Sequence, residues 1–187
     1  MAVMPRRYRF TVDEYERIAQ AQVLTQCDRI ELLDGEIVEM TPIGDRHASV
    51  VARLTSLFSR RLGNRSIVWV QNPVQLRSVR SVPQPDVVLV RPRADFYAAG
   101  KPGPDDVLLL IEVMDTSAET DRSVKLPLYA RAGIAEAWLL DLATDRVEVY
   151  REPSHAGYRQ AATAGRNERV TPQAFPDLSL SVEDLLG

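Results

Sequence analysis

Lysine is nearly missing from this chain. Of its 23 basic residues only Lys101 and Lys125 are lysines, and arginine fills every other position. Where guanidinium groups serve almost everywhere, a retained ammonium either marks a site that needs a compact cation able to change its pKa or stands there by chance. Cysteine is rarer still. Cys27 alone excludes an intrachain disulfide and a multi-cysteine zinc site, and reads as an ordinary small buried or half-buried residue. No apolar run approaches the length that crosses a bilayer, and nothing near Met1 resembles the hydrophobic region of a signal peptide. A soluble, cytoplasmic protein without a membrane partner is expected. A strong positive charge is also lacking: the formal net charge is −3 and the pI near 5.5, which does not announce a nucleic-acid binder. The distribution is less even, because between Asp45 and Arg93 nine arginines stand against two aspartates, a local charge of +7.

What is present centres on Asp106–Lys125. Five apolar residues, Val107 to Ile111, form the short continuous run expected of a strand buried on both faces, and the run carries a carboxylate, Glu112, before Val113 and Met114. An unpaired buried carboxylate is costly, so an acid there is paired, protonated or bound to a metal.

Around that stretch, the 187 residues read as one domain (1–187) in three parts: an N-terminal helix and hairpin (1–44), a core (45–151) and C-terminal strands with a tail (152–187). Phe10 to about Ala21 is predicted as a helix, with Thr11 and Glu14 as a capping box and Phe10 and Tyr15 as a staple. Arg29–Met40 alternates around Asp34-Gly35, the signature of a type I′ hairpin, which puts Glu31 and Glu36 on one face, either solvated or aimed at a cation. Asp45 is placed to cap a helix running to Leu62, with Arg46, Arg53 and Arg60 along a polar face that is either solvated or tracks phosphates. In its first turn the helix dipole disfavours a protonated His47, leaving a neutral imidazole to accept a proton, bind metal or hydrogen-bond the preceding loop. Strands are expected at Ser66–Leu76, interrupted near Pro73, and at Pro85–Val90, with Asp86 sharing a face with Val88 and Val90. Arg91–Asp105 reads as a loop with a helical turn near Phe96. A helix starting between Ser117 and Asp121 and stopping at Gly133 places Tyr129 on the face of Lys125, with Pro127 in its first turns or kinking it. Glu136–Asp141 and Arg146–Arg151 form a hairpin around Ala143-Thr144-Asp145, and weaker strands follow at Tyr158–Ala162 and Leu178–Leu180. The fold class is α/β, a mixed sheet flanked by helices.

If the strands of Asp86 and Glu112 are antiparallel neighbours, the start of one lies beside the end of the other and the two acids converge. Converging carboxylates call for a divalent cation, and hard oxygen ligands favour Mg²⁺, Mn²⁺ or Ca²⁺ over zinc, with the carbonyl of Val113 as a further ligand. Lys125, on the following helix, is then available to orient or deprotonate a water or to hold a pentavalent phosphate. The structural alternatives are a turn cap for Asp86, a neutral or ion-paired acid for Glu112, and a solvent-facing Lys125; Tyr129, Trp138 and Tyr150 read most simply as packed residues.

Gln84-Pro85-Asp86, the strand ending in Ile111-Glu112-Val113 and the downstream Lys125 resemble the core of the PD-(D/E)XK nucleases. More narrowly, Ile30–Glu36, His47, Val82–Asp86, Glu112-Val113, Lys125–Tyr129, Ala132-Gly133 and Glu136-Ala137-Trp138 resemble the Uma family of restriction-endonuclease-like proteins, over a match from about Phe10 onward. The resemblance implies a restriction-endonuclease-like fold and Mg²⁺-dependent endonucleolytic hydrolysis of phosphodiesters in DNA, RNA not being excluded, by one activated water without a covalent intermediate. It makes Asp86 and Glu112 the metal ligands, adds Glu31 from the hairpin as an assisting acid, and gives His47 a supporting place. The wider superfamily carries a lysine two residues after the glutamate, where this chain has Met114, so the basic role falls to Lys125. A homodimer meeting through the N-terminal helix and hairpin is expected. The rival from another class is an inactive nuclease-fold module that binds nucleic acid or a protein partner, and a third reading is a hydrolase of other phosphate esters.

Overall fold

The computed structural model describes residues 7–21, 23 and 29–187; Cys27 lies outside them. The chain opens with α1 (Val12–Gln20), whose N-terminus carries the expected capping box: Glu14 N–H donates to Thr11 Oγ1 and the Glu14 carboxylate accepts from Thr11 N–H. Phe10, Val12 and Tyr15 pack with Leu32 and Val82 under a hairpin, β1 (Ile30–Leu33) and β2 (Glu36–Glu39). Asp34 and Gly35 have φ of 47° and 80°, as a type I′ turn demands, and a Cβ on Gly35 would stand 2.8 Å from that of Arg9, so glycine is required twice over.

The main sheet has six strands in the order β3 (Ile67–Val70), β4 (Val87–Val90), β5 (Val107–Met114), β6 (Glu136–Asp141), β7 (Arg146–Ser154), β8 (Gly157–Ala164). Only β5 and β6 run parallel, and the crossover joining them is helical: α3 (Ala118–Thr120), a π-helical turn (Asp121–Lys125) and α4 (Leu126–Ala132). A short pair, β9 (Arg169–Val170) with β10 (Leu180–Ser181), and α5 (Val182–Leu186) follow. On one face α2 (Asp45–Leu62) and α5 cover Val87, Leu89, Leu109, Ile111 and Val113; on the other, Tyr129 of α4 packs with Val88, Val90, Leu110 and Ile134. Because β4 and β5 are covered on both sides, they read as apolar runs, broken only by Glu112 in β5. No helix among the described residues is long and apolar enough to cross a membrane.

Several local expectations change. Gly44, without a side-chain bond, is the N-cap of α2, and Asp45 occupies the first helical position, where its charge still suits the helix dipole. The strand expected over Ser66–Leu76 ends at Val70, since Gln71 turns left-handed (φ 48°) ahead of Asn72-Pro73; only a bridge between Leu76 and Ser81 remains of its second half. β4 begins at Val87, leaving Asp86 in a bend where the two-residue period no longer applies. No helical turn forms near Phe96: Phe96 and Tyr97 both take positive φ in a run of tight turns. The β6–β7 turn starts one residue early, at Leu142, because Asp141 Oδ1 accepts from the N–H groups of Ala143 and Thr144. Gly157–Ala164 is longer than expected and forms an edge of the main sheet, while the strand at Leu178–Leu180 shifts to β10.

Candidate active site

β4 and β5 are antiparallel, with Val87 opposite Ile111. That register brings the bend at Asp86 beside Glu112: Asp86 N–H donates to Glu112 Oε2 at 3.2 Å, and Val113 N–H donates to Asp86 Oδ2 at 2.8 Å. Glu112 lies within β5 and not at its end, so its carboxylate is only 1 % exposed and faces the crossover helix.

The crossover supplies the cation. Proline 127 has no N–H and its ring clashes with the carbonyl four residues back, that of Ser123. The helix ahead of it widens, with Leu126 N–H reaching the carbonyl of Asp121 five residues back. Pro127 thus sits in the first turn of α4, behind a π turn of the kind often found at functional sites. Lys125 and Tyr129, four residues apart, both reach Glu112, and Asp121, four residues before Lys125, reaches the Lys125 ammonium. Lys125 Nζ lies 3.2 Å from Glu31 Oε1, 3.4 Å from Glu112 Oε1 and 3.6 Å from Asp121 Oδ1. Tyr129 donates its hydroxyl to Glu112 Oε1 at 2.5 Å, and Ser117 donates to Asp121 Oδ2 at 2.5 Å.

Glu31 arrives from the hairpin, which is tied to the chain ahead of β4 by Val82 N–H donating to the Leu32 carbonyl. Its Oε1 also accepts from Gln84 N–H at 2.6 Å, so one buried acid fixes both Lys125 and the approach to Asp86. Glu36 goes elsewhere, to Arg9 at 3.4 Å and Arg7 at 3.6 Å. His47 reaches Asp86 Oδ2 through Nε2 at 3.0 Å. Burial alone would lower its pKa, but the hydrogen bond and charge of Asp86, with Asp115 and Asp121 beyond, raise it, which overrides the helix-dipole expectation.

Charge in this cleft is unbalanced. Glu31, Asp86, Glu112, Asp115 and Asp121 all line it, with Lys125 as the buried cation. Burial drives the Glu112 pKa far above the ordinary carboxylate value; Lys125 pulls it back, and Asp121, Asp86 and Glu31 push it up again. Asp121 is raised by burial against the pull of Lys125. Burial works against the charge on Lys125, yet the three carboxylates hold its pKa far above that of a free lysine. The three carboxylates thus favour the ammonium form of Lys125.

A surplus of buried negative charge fits a cation, and the donor set says which kind. Among the described residues no group of three His, Cys, Asp or Glu side chains is arranged to hold a metal ion. Asp86 and Glu112 are two carboxylates beside a cavity of about 90 Å³, room for several waters. That combination fits a hard divalent cation that keeps part of its water shell and does not match a closed zinc site.

Other expectations dissolve on the surface. Four of the nine arginines of the basic stretch are paired, Arg46, Arg65 and Arg77 with the distant Asp145, Asp177 and Asp13 and Arg93 with the adjacent Asp95, so its local +7 is reduced in part. Lys101 binds Glu16 of α1 at 2.8 Å. Met114, 1 % exposed, packs with Leu126, Ala137 and Leu139. Trp138 is fully buried, and Tyr150 is half-buried. The residue that sequence reasoning missed is Asp121; its signal was the four-residue spacing to Lys125 and on to Tyr129.

The comparisons with known proteins agree with this fold. A crystal structure of a putative nuclease belonging to DUF820 from Anabaena variabilis has the same fold, with a TM-score of 0.73 at 18 % identity over 95 % of this chain and 97 % of that one. No curated protein matches the chain. The model of the Uma2 family, described as putative restriction endonuclease, matches residues 12–183, from the first helix to the last. The chain belongs to the Uma2 family of the restriction-endonuclease-like nuclease fold.

Proposed function

We propose that this protein is a Mg²⁺-dependent endonuclease that hydrolyses phosphodiester bonds in DNA, with Mn²⁺ as a substitute ion. The observation that carries the reading is the meeting of Asp86 and Glu112 across β4 and β5 with Lys125 Nζ at 3.4 Å from Glu112. Asp86 and Glu112 are the side-chain ligands. The Val113 carbonyl is the third, because in an extended strand it leaves on the same edge as the Val113 N–H that meets Asp86. When bound, the cation supplies Lewis acidity at a phosphoryl oxygen and a water of lowered pKa.

The chain's own residues do the rest. Water oxygen bonds to phosphorus and gives up a proton to solvent, the bond to the leaving oxygen breaks and that oxygen takes up a proton from solvent, and no enzyme nucleophile is used. Lys125, as an ammonium, stabilises the negative charge that builds on the phosphoryl oxygens. Glu31 and Asp121 hold that ammonium in place, and Tyr129 holds Glu112. Cutting both strands of a duplex with one site per chain takes two copies, so the reading includes a homodimer.

The test is cleavage of duplex DNA, single-stranded DNA and RNA with Mg²⁺ or Mn²⁺, beside Glu112→Ala and Lys125→Ala proteins. Divalent-dependent cleavage that EDTA stops and that falls at least about 100-fold in both variants is expected. Equal activity in all three proteins removes the assignment; cleavage of RNA alone moves the substrate.

A further inference from the structure

His47 carries an unexplained cost. Its Nδ1 is buried without a hydrogen-bond partner, the one such side-chain atom among the described residues. An unpaired buried nitrogen costs about 1–3 kcal/mol, which a leucine in the same first turn of α2 would avoid. The ring is therefore kept for what Nε2 does. Nε2 faces a carboxylate oxygen at 3.0 Å, so it carries a proton and donates.

The lone pairs of the two acids show the consequence. Asp86 Oδ2 accepts from His47 Nε2–H and from Val113 N–H at 2.8 Å, which uses both of its lone pairs, whereas Oδ1 receives only the Gln71 amide at 3.3 Å. Glu112 repeats the pattern: Oε1 takes the Tyr129 hydroxyl and Lys125, and Oε2 takes only the Asp86 N–H at 3.2 Å. Each carboxylate has one committed oxygen and one with a lone pair to spare.

We infer that His47 is a positioning residue whose Nε2–H, together with the Val113 amide, locks Asp86 so that Oδ1, alongside Glu112 Oε2, is the oxygen offered to the divalent cation. The inference rests on the metal-dependent reading above. It assigns His47 no proton transfer and no metal bond.

Calorimetric titration of Mg²⁺ and Mn²⁺ into four proteins tests it: wild type, Asp86→Ala, His47→Leu and His47→Gln. Binding is expected in the wild type and lost in Asp86→Ala. His47→Leu weakens it about 10- to 100-fold, the usual effect of removing a hydrogen bond to a ligand. His47→Gln, whose amide N–H can replace Nε2–H, recovers most of the affinity. Without metal, His47→Leu unfolds at the wild-type temperature or above, because the unpaired nitrogen is gone. Wild-type affinity in His47→Leu, or a His47→Gln protein as weak as His47→Leu, overturns the assignment while the metal reading stands. No divalent binding by the wild type overturns the metal reading and this assignment with it.

Discussion

Replacing Lys125 by methionine keeps the unbranched apolar stem and removes the charged nitrogen at its end. Three carboxylate oxygens lie 3.2, 3.4 and 3.6 Å from the ammonium. At an effective dielectric of about 20, each such contact is worth about 5 kcal/mol of gross attraction, most of it offset by the cost of dehydrating the charges. Removing one partner from a buried cluster of this kind costs about 3–5 kcal/mol net. The loss depends on pH, and its sign follows from the acids left behind. Glu112 and Asp121 already sit above their ordinary values of 4.5 and 3.8, and without Lys125 both rise further. An acid whose folded pKa is raised contributes stability that is fully present below its unfolded pKa and is lost as pH rises through the folded value. Lys125 itself is raised above 10.5, so its own titration adds nothing between pH 5 and 8 in the wild type. Urea unfolding of both proteins at about pH 5 and about pH 8 should therefore show the full deficit at the higher pH and a clearly smaller one at the lower. A deficit below about 1 kcal/mol at pH 8, the size of an exposed ion pair, or the same deficit at both pH values, refutes the account of Lys125 as the cation of an acid-rich core.

Two substitutions separate the site from the scaffold. Tyr129→Phe removes the hydroxyl that Glu112 Oε1 accepts, and thermal or urea unfolding should report a loss of about 1.5–3 kcal/mol, the range for a buried bond to a charged group; no loss would mean that this bond forms no part of the folded-state balance. Arg151→Met strips two N–H donors from the Glu136 carboxylate, which is 1 % exposed and otherwise held by Trp138 and the Gln173 amide. About 3–5 kcal/mol of stability should go, with divalent affinity unchanged, and a parallel fall in metal binding would contradict the independence of the two clusters.

Legibility from the sequence followed the range of the cause. The capping box of α1 and the Asp34-Gly35 turn are set by neighbours a few residues apart, and both form as read. The antiparallel pairing of β4 with β5 was also within reach, because consecutive buried strands tend to pair, and it alone brings Asp86 to Glu112. The basic stretch was legible only in part for the opposite reason: three of its nine arginines meet Asp13, Asp145 and Asp177, partners 64 to 112 positions away that no local charge count contains. The lysine argument shows the same division. Two lysines among 23 basic residues singled out Lys125, but they singled out Lys101 equally, and Lys101 only ties a loop to Glu16 of α1.

Pro127 is the most instructive position in this respect. Its place four residues after Ser123 tells that a hydrogen bond must be missing there, yet a kink, a helix start and a widened turn all satisfy that condition. What decides is the packing on either side. Leu126 is held against Met114 and Leu139, and Tyr129 is fixed by the Glu112 carboxylate, so α4 cannot tilt away at the proline. The slack is taken up ahead of it, between Asp121 and Lys125, and the π turn leaves both charges facing the carboxylates. The same apolar contacts explain why Met114 is no substitute for Lys125. Residue 114 packs among Leu126, Ala137 and Leu139, whereas residue 125 reaches Glu112 with Glu31 and Asp121 also beside its ammonium. The lysine on the helix is thus held by acids of the hairpin and of the π turn, and the charge of Lys125 and the geometry of Pro127 are one feature of this fold.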